Sequence, residues 1–179
     1  NGDGESMVMT LALATTLTDV ENHLTRWEAL KSVLKSIPLI SPVDYYRLAS
    51  RFGKRRDPFT NRWAMHSGLD LAGRRKAPVY STAPGRVVFA GKKSNYGKMV
   101  EIDHGNGIQT RYGHLFKVTV RKGAKIGHLH KVGLLGSTGR STGPHVHYEV
   151  LFDGKQMDPL KFIKAGRHVF KSPKAGSKA

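Results

Sequence analysis

The sequence predicts a mainly β domain preceded by one amphipathic α-helix. After Pro42 the chain consists of short apolar runs broken by glycine, which are typical of β-strands. Before Pro42, apolar residues recur every three or four positions, as they do along one face of a helix. With 179 residues, of which 39% are hydrophobic, the chain can bury a core. We expect a helical segment at residues 1–42, a β domain at 43–164 and a basic tail at 165–179.

The predicted helix runs from Leu17 to Ile37. Thr16 or Thr18 can cap its start, and Pro38 and Pro42 end it, because proline cannot donate a hydrogen bond into a helix. The apolar residues on one face of this helix, which we call the stripe, either pack on the β domain or form the end of a longer coiled coil. Its apolar residues are Leu17, Val20, Leu24, Trp27, Leu30, Leu34 and Ile37.

The β domain is predicted from seven apolar runs. The stretch DHGNG, residues 103–107, is expected to be a hairpin turn, because Asn-Gly tolerates the positive φ that a tight turn needs. The expected strands are Pro78–Ser81, Gly85–Ala90, Met99–Asp103, Ile108–Tyr112, Val118–Arg121, Val132–Leu135 and Val146–Phe152.

The charge is strongly basic, with 30 Lys and Arg against 13 Asp and Glu and a formal net charge of +17. Such a chain is expected to bind polyanions, a class that includes nucleic acid, anionic membranes and the carboxylate-rich bacterial cell wall. Aromatic residues do not interleave with the basic ones, so nucleic acid is not the expected partner. The sequence has no cysteine, which excludes disulfides, a cysteine-based zinc site and a cysteine nucleophile.

The first residues, NGDGES, are interpreted as the start of an excised or mature fragment. The apolar run Met7–Ala14 that follows is too short for a membrane span and has no basic flank. We therefore expect any export signal or membrane anchor upstream of this sequence.

The stretch STGPHVHYEV, residues 141–150, places His145 and His147 two apart in a predicted strand. Side chains two apart in a strand share a face, with origins roughly 7 Å apart. One imidazole can then bind a metal while the other lies beside the metal's water. The alternative is a pair of exposed strand histidines.

A second stretch, HSGLDLAG, contains His66 and Asp70, and Gly68 between them favours a strand and loop over a helix. Two imidazoles and one carboxylate would form a three-ligand set with an open fourth position, as in a catalytic zinc site. HExxH is absent, which excludes the helical zinc-protease arrangement. In TRYGHL, residues 110–115, His114 ends an alternating run after the hairpin and can flank the open side of the metal.

Four stretches follow one another in the chain: FGKRRDPFTNRWAMHSGLD, APVYSTAPGRVVFAG, GNGIQTRYGHL and GLLGSTGRSTGPHVHYEV. Together they resemble the lysostaphin-type zinc metalloendopeptidases, or LytM domains, which cut peptide bonds in peptidoglycan. The resemblance extends from Phe52 to Phe162. It implies antiparallel sheets that form a groove with zinc at its floor.

Carried over by position, the resemblance implies one zinc per chain, bound by His66, Asp70 and His147, with His114 and His145 as the catalytic pair. None of the five is substituted, which favours an enzyme over family members with degraded metal sites. His145 is expected to be the general base because it is fixed beside His147. His114 then stabilises the oxyanion or protonates the leaving amine. The two roles can also be exchanged.

The implied substrate is peptidoglycan, cut in its stem peptides or crosslinks during cell-wall remodelling and division. The D-Ala to meso-diaminopimelate crosslink is the first choice. The reason is that FGKRRDPFTNRWAMHSGLD is a long form of this segment and is similar to envelope enzymes of Gram-negative bacteria. Arg111 and Arg140 are candidates for contacts with substrate carboxylates. The expected location is the periplasm or cell envelope, and other cell-wall or division proteins are expected partners of the helix. The main alternative is a noncatalytic activator of cell-wall amidases.

Overall fold

The computed structural model describes residues 2–169, and the chain divides into two compact units, Asn1–Lys35 and Ser36–Ala179. Its helices are α1 (Gly2–Ser36) and α2 (Pro159–Val169), and Ser94–Tyr96 form one 3₁₀ turn. The strands are β1 (Arg47–Ser50), β2 (Gly53–Arg56), β3 (Trp63–His66), β4 (Leu69–Ala72), β5 (Pro78–Tyr80), β6 (Gly85–Lys93), β7 (Gly97–Gly105), β8 (Ile108–Gly113), β9 (Lys117–Val118), β10 (Lys125–Ile126), β11 (Lys131–Leu134), β12 (His145–Phe152) and β13 (Lys155–Met157).

Helix α1 begins earlier than the sequence predicts. The hydroxyls of Thr16 and Thr18 do not cap a helix start but donate to the carbonyls of Ala12 and Ala14, one turn earlier, at 2.8 and 3.0 Å. The helix therefore continues back to Gly2, and it ends at Ser36, just before Pro38.

The six stripe side chains from Leu17 to Leu34 are 49–59% exposed. Their role, in packing or in a coiled coil, stays a prediction. Among the described residues, no helix combines the length and the apolarity needed to cross a bilayer.

The predicted fold class is confirmed, because the described strands all pair antiparallel. The largest sheet has eight strands in the order β1-β4-β12-β8-β7-β6-β10, with β13 paired to β12 outside this path. A second sheet has the order β5-β11-β9, and β2 and β3 form a separate hairpin. The predicted turn after β7 is also confirmed: Asn106 and Gly107 have φ of 51° and 74°, as a type I′ hairpin needs.

The core lies on one face of the large sheet. The hydroxyls of Tyr112 and Tyr148 meet the Thr82 hydroxyl at 3.1 and 2.9 Å, so the two buried phenols are hydrogen-bonded. Other fully buried core residues include Leu69, Leu71, Val79, Val100, Ile102, Leu115, Leu135, Val146 and Val150.

Helix α2 packs on this core through Ile163, which is 3% exposed. The basic tail predicted at 165–179 starts within this helix, because α2 continues to Val169. The rest of the predicted tail, residues 170–179, lies outside the described residues. The predicted domain limits stay predictions.

Candidate metal centre and active site

Strand β12 separates the core from the site by simple alternation of its side chains. The two strands that flank β12 extend both of its faces. On one side β4 pairs Asp70 with His147, and on the other side β8 pairs Gly113 with His147. The core face of β12 carries Val146, Tyr148 and Val150, and the opposite face carries His145, His147 and Glu149.

The second histidine of the predicted metal set comes from β3, which ends at His66, and β4 starts three residues later. Gly68 allows this bend to lie against β12, because a Cβ there would be 2.4 Å from the Tyr148 carbonyl oxygen. The chain thus turns directly from His66 to Asp70 beside β12, in agreement with the strand and loop predicted for HSGLDLAG.

Three donor atoms from these strands converge on one point. His147 Nδ1 lies 2.8 Å from Asp70 Oδ1, His66 Nε2 lies 3.1 Å from the same oxygen, and the two nitrogens are 3.2 Å apart. Ligands of a tetrahedral zinc with bonds of about 2.0–2.2 Å are separated by about 3.3–3.6 Å. A shift of a few tenths of an ångström therefore opens the set for zinc, and its two imidazoles and one carboxylate suit that ion.

Each of the three predicted donors also contacts a group on the side away from the convergence point. The His66 Nδ1–H donates to the Arg51 carbonyl at 2.7 Å, and the His147 Nε2–H donates to Glu149 Oε1 at 3.0 Å. Both contacts fix the tautomer that leaves a lone pair toward the metal position. The outer oxygen of Asp70 faces Arg55 Nη2 at 3.5 Å. These outer contacts are a second, independent sign that the donor set is built to hold a metal.

The charges within the three-donor set favour ionised Asp70 and protonated His147. Burial raises the pKa of Asp70, but the interactions with His147 and His66 outweigh burial and hold that pKa well below its usual range. Burial likewise lowers the pKa of His147, yet Asp70 and Glu149 raise it to about 9. A buried imidazole between two carboxylates carries a proton until a cation replaces it.

Glu149 is fully buried beneath His147. It accepts hydrogen bonds from the hydroxyls of Ser67 and Tyr96, the latter at 2.8 Å, and pairs with Arg111 at 3.2 Å. Burial raises its pKa, but the bonds from His147 and Ser67 outweigh burial and lower it to about 2. Glu149 is therefore a carboxylate that orients the His147 ring.

The two remaining histidines lie side by side, with ring centroids 4.7 Å apart. His114 Nδ1 donates to the Thr138 carbonyl at 2.7 Å, and His145 Nδ1 donates to the Gly143 carbonyl at 2.8 Å. Each of these two rings, when neutral, therefore carries its lone pair on Nε2. The Nε2 of His145 lies 3.5 Å from Asp70 Oδ1. Burial lowers the pKa of His114 to about 4, and the neighbouring histidines add to this.

His114 reaches this position through an unusual backbone conformation. Its φ of 59° lies in the left-handed region, and its amide donates to the Tyr96 carbonyl at 2.8 Å. Such strain is typical of functional sites. The turn takes the His114 side chain out of the alternation of β8.

A cavity of about 290 Å³ opens above these residues and is lined by all five. Two cations also line it, Arg55 and Arg140. Arg140 pairs with Asp57 at 2.7 Å and lies 4.6 Å from the centre of the Phe59 ring, so it joins the two walls of the cavity.

The structure therefore brings together His66, Asp70, His114, His145 and His147, and their individual roles stay predictions. Arg140 lines the cavity, as a substrate-binding residue would. Arg111 does not line it. Its guanidinium is already paired with Glu149 and, at 3.1 Å, with Glu101.

Sequence reasoning missed Glu149, Ser67 and Tyr96. Glu149 had a signal, because it is two residues beyond His147 on the same strand face. Ser67 directly follows His66 and Tyr96 lies in the 3₁₀ turn, and nothing in the sequence indicated that either would contact Glu149.

Comparison with known proteins agrees with this geometry. The model of Peptidase family M23 matches residues 64–159, more than half of the chain. A DD-carboxypeptidase/endopeptidase, Mpg, of Neisseria meningitidis serogroup B is 41% identical over 121 residues, 68% of this chain and 28% of that protein. The peptidoglycan DD-endopeptidase ShyA of Vibrio cholerae is 43% identical over 122 residues, 67% of this chain and 28% of that protein. The chain thus spans under a third of the length of these relatives.

Two solved structures share the fold. A zinc-containing peptidase from Vibrio cholerae has a TM-score of 0.62 and 42% identity, over 66% of this chain and 37% of that one. The catalytic domain of lysostaphin from Staphylococcus simulans has a TM-score of 0.61 and 27% identity, over 66% of this chain and 92% of that one. Because the family model covers most of the strands that build the site, the chain belongs to peptidase family M23.

Proposed function

We propose that this chain is a zinc-dependent endopeptidase that hydrolyses peptide bonds in peptidoglycan. The observation that carries the proposal is the convergence of three metal donors with a histidine pair beside them in one cavity. His66 Nε2, Asp70 Oδ1 and His147 Nδ1 would hold the zinc. When bound, zinc supplies Lewis acidity toward water and toward a scissile carbonyl.

The proton transfers are assigned to the histidine pair. His145 Nε2 accepts the proton that the attacking water loses, because its Nδ1–H is committed to the Gly143 carbonyl. His114 Nε2 donates to the developing oxyanion or to the leaving amine only after it has taken up a proton, because burial lowers its pKa to about 4 and the resting ring is neutral. Because each ring has its Nδ1 tied to a carbonyl, both satisfy the same geometric condition, and exchanged roles are the alternative.

The proximity of the two rings supports a single shared proton. Two imidazolium groups with centroids 4.7 Å apart would repel each other. At most one of the two rings therefore carries the extra proton at any time. Amide hydrolysis needs one group that accepts a proton and one group that donates a proton.

The substrate assignment rests on the relatives and on charge. Mpg and ShyA are named for DD-carboxypeptidase or DD-endopeptidase activity. We propose a peptidoglycan crosslink, with D-Ala to meso-diaminopimelate as the first choice, and Arg55 and Arg140 as the cations that meet its carboxylates. Such a substrate places the enzyme outside the cytoplasm, in the periplasm or cell envelope.

The alternative, a noncatalytic activator of amidases, has less support. An activator would need neither three converged donors nor a paired His114 and His145 beside them. Further cell-wall or division proteins stay proposed partners of helix α1.

The direct test is to incubate the zinc-loaded protein with purified crosslinked peptidoglycan and to identify the cut bond by mass spectrometry. We expect loss of D-Ala to meso-diaminopimelate crosslinks. His145→Ala should keep its zinc and its fold while hydrolysis falls about a hundredfold or more, the scale of general-base assistance. A parent that cuts nothing but raises the activity of an amidase would establish the activator instead.

A further inference from the structure

The β2–β3 hairpin has two different faces. Facing pairs along it are Gly53 with His66 and Arg55 with Ala64, and of these Arg55, Ala64 and His66 line the cavity. The intervening pairs point to the opposite side. These pairs, which we name the hairpin outer face, are Lys54 with Met65 and Arg56 with Trp63.

The hairpin outer face combines apolar area with positive charge. Trp63 is 70% exposed and Met65 is 58% exposed, beside two exposed cations. Isolated exposed apolar residues are ordinary, but an aromatic ring and a thioether flanked by cations on one short sheet are typical of a binding surface. Met65 also borders the cavity, so this face is continuous with the site.

The ring of Trp63 has a contact within the hairpin itself. The Arg56 guanidinium lies 5.6 Å from the centre of the indole ring, and its Nη1 donates to the Asn61 carbonyl at 3.1 Å. The connecting turn is fixed by Asp57 Oδ1, which accepts from the amides of Phe59 and Thr60 at 2.9 Å. A restrained turn and a ring with a neighbouring cation reduce the conformational entropy that is lost on binding.

We propose that the hairpin outer face binds the glycan strand of peptidoglycan, with a sugar ring stacked on Trp63 and stem-peptide carboxylates near Lys54 and Arg56. This inference rests on the proposed function and extends it from the cut peptide to the polymer that carries it. Sugar rings present C–H faces that pack on an indole ring. The stem peptides of the same polymer carry the carboxylates that complement the two cations.

The distances allow one peptidoglycan strand to reach both the cavity and the hairpin outer face. Trp63 is three residues from His66 along β3, which is roughly 10 Å at the rise of a strand. A four-residue peptide spans up to about 13–14 Å when extended. A stem peptide whose end lies in the cavity can therefore place its own sugar on the hairpin outer face.

The test measures binding separately from cutting. Zinc-loaded parent, Trp63→Ala and Trp63→Phe are titrated with peptide-free glycan strands, which contain no peptide bond to hydrolyse, and with sugar-free crosslinked peptide. Trp27→Ala is the matched control, because Trp27 is the chain's other tryptophan and is 57% exposed on α1. Zinc content and circular dichroism confirm that each variant is folded.

We expect Trp63→Ala to weaken glycan binding about tenfold, the scale of one stacked aromatic ring. Trp63→Phe should recover most of that loss, and Trp27→Ala should bind as the parent does. The ratio of kcat/KM on intact peptidoglycan to kcat/KM on sugar-free crosslinked peptide should fall by the same factor in Trp63→Ala.

Three results would overturn the inference. The first is equal glycan binding by parent and Trp63→Ala. The second is an equal loss of kcat/KM on both substrates, which would make Trp63 a support of the cavity. The third is a parent dimer that Trp63→Ala dissociates without a change in glycan binding, which would make this face a contact between two copies. If the parent cuts neither substrate, the proposed function fails, and the glycan titration still reports on the hairpin outer face.

Discussion

Replacing Arg111 by methionine separates its predicted contact with substrate from the role that its position indicates. The guanidinium joins Glu149 at 3.2 Å and Glu101 at 3.1 Å, and the side chains of the three are 19%, 0% and 11% exposed. Removing one partner of a buried ion pair costs about 3–5 kcal/mol, because the remaining charge is left uncompensated. The hydroxyl donors to Glu149 remain, and Lys93 stays 3.8 Å from Glu101, so we expect the lower end, about 3 kcal/mol.

That loss corresponds to a fall in Tm of about 6–12 °C for a chain of this size. The assay is urea and thermal unfolding of the zinc-loaded protein, with the exposed strand residue Arg47 as the matched control in Arg47→Met. A double-mutant cycle with Glu149→Gln should give a coupling of about 1 kcal/mol or more. An Arg111→Met variant that is as stable as the parent but loses kcat/KM tenfold would refute this reasoning and restore Arg111 as a substrate-binding residue.

Three further predictions concern the metal, a buried histidine and a tight backbone contact. Asp70→Ala and His147→Ala should lose the single zinc by elemental analysis, whereas His145→Ala should keep it; zinc retained by both of the first two would disprove the ligand set. Burial lowers the pKa of His104 below its usual 6.5. Below about pH 6.5, His104 therefore binds a proton in the unfolded chain before it does so in the folded chain. The stability due to neutral His104 is then complete above about pH 6.5 and is lost as the pH falls, and the stability difference between parent and His104→Gln in urea should narrow from about pH 7.5 to 5. A constant difference would contradict this. A Cβ at Gly136 would lie 2.2 Å from the backbone nitrogen of residue 116, so Gly136→Ala should cost about 1–3 kcal/mol and lower kcat by moving the 114–116 segment; an unchanged Tm would show that the segment yields freely.

The sequence alone predicted the features that depend on neighbours in the chain. Alternation along residues 145–150 indicated that His145 and His147 share a face, and the structure places both toward the cavity. The Asn-Gly pair predicted the hairpin after β7, because positive φ is a local property. The fold class followed from the spacing of apolar runs for the same reason. Short strands such as β1, β2 and β13 were missed because so few residues show no periodicity.

The start of α1 was misplaced for a related reason. A threonine hydroxyl can cap a free amide or bond to the carbonyl one turn earlier, and both options have the same local sequence. In the structure Thr16 and Thr18 take the second option, so the apolar run Met7–Ala14 is helical as well.

Only the tertiary structure decided what surrounds the candidate metal site. His66 and His147 are 81 residues apart, and they meet because β4 and β12 are neighbours in the large sheet, an order that apolar spacing does not encode. The same pairing sets Arg111 opposite Glu149, and the two form an ion pair that the sequence did not indicate, while the predicted substrate contact of Arg111 stays a prediction. Side-chain direction is local, whereas the partner that a side chain meets depends on strand order, which is fixed only when the whole sheet assembles.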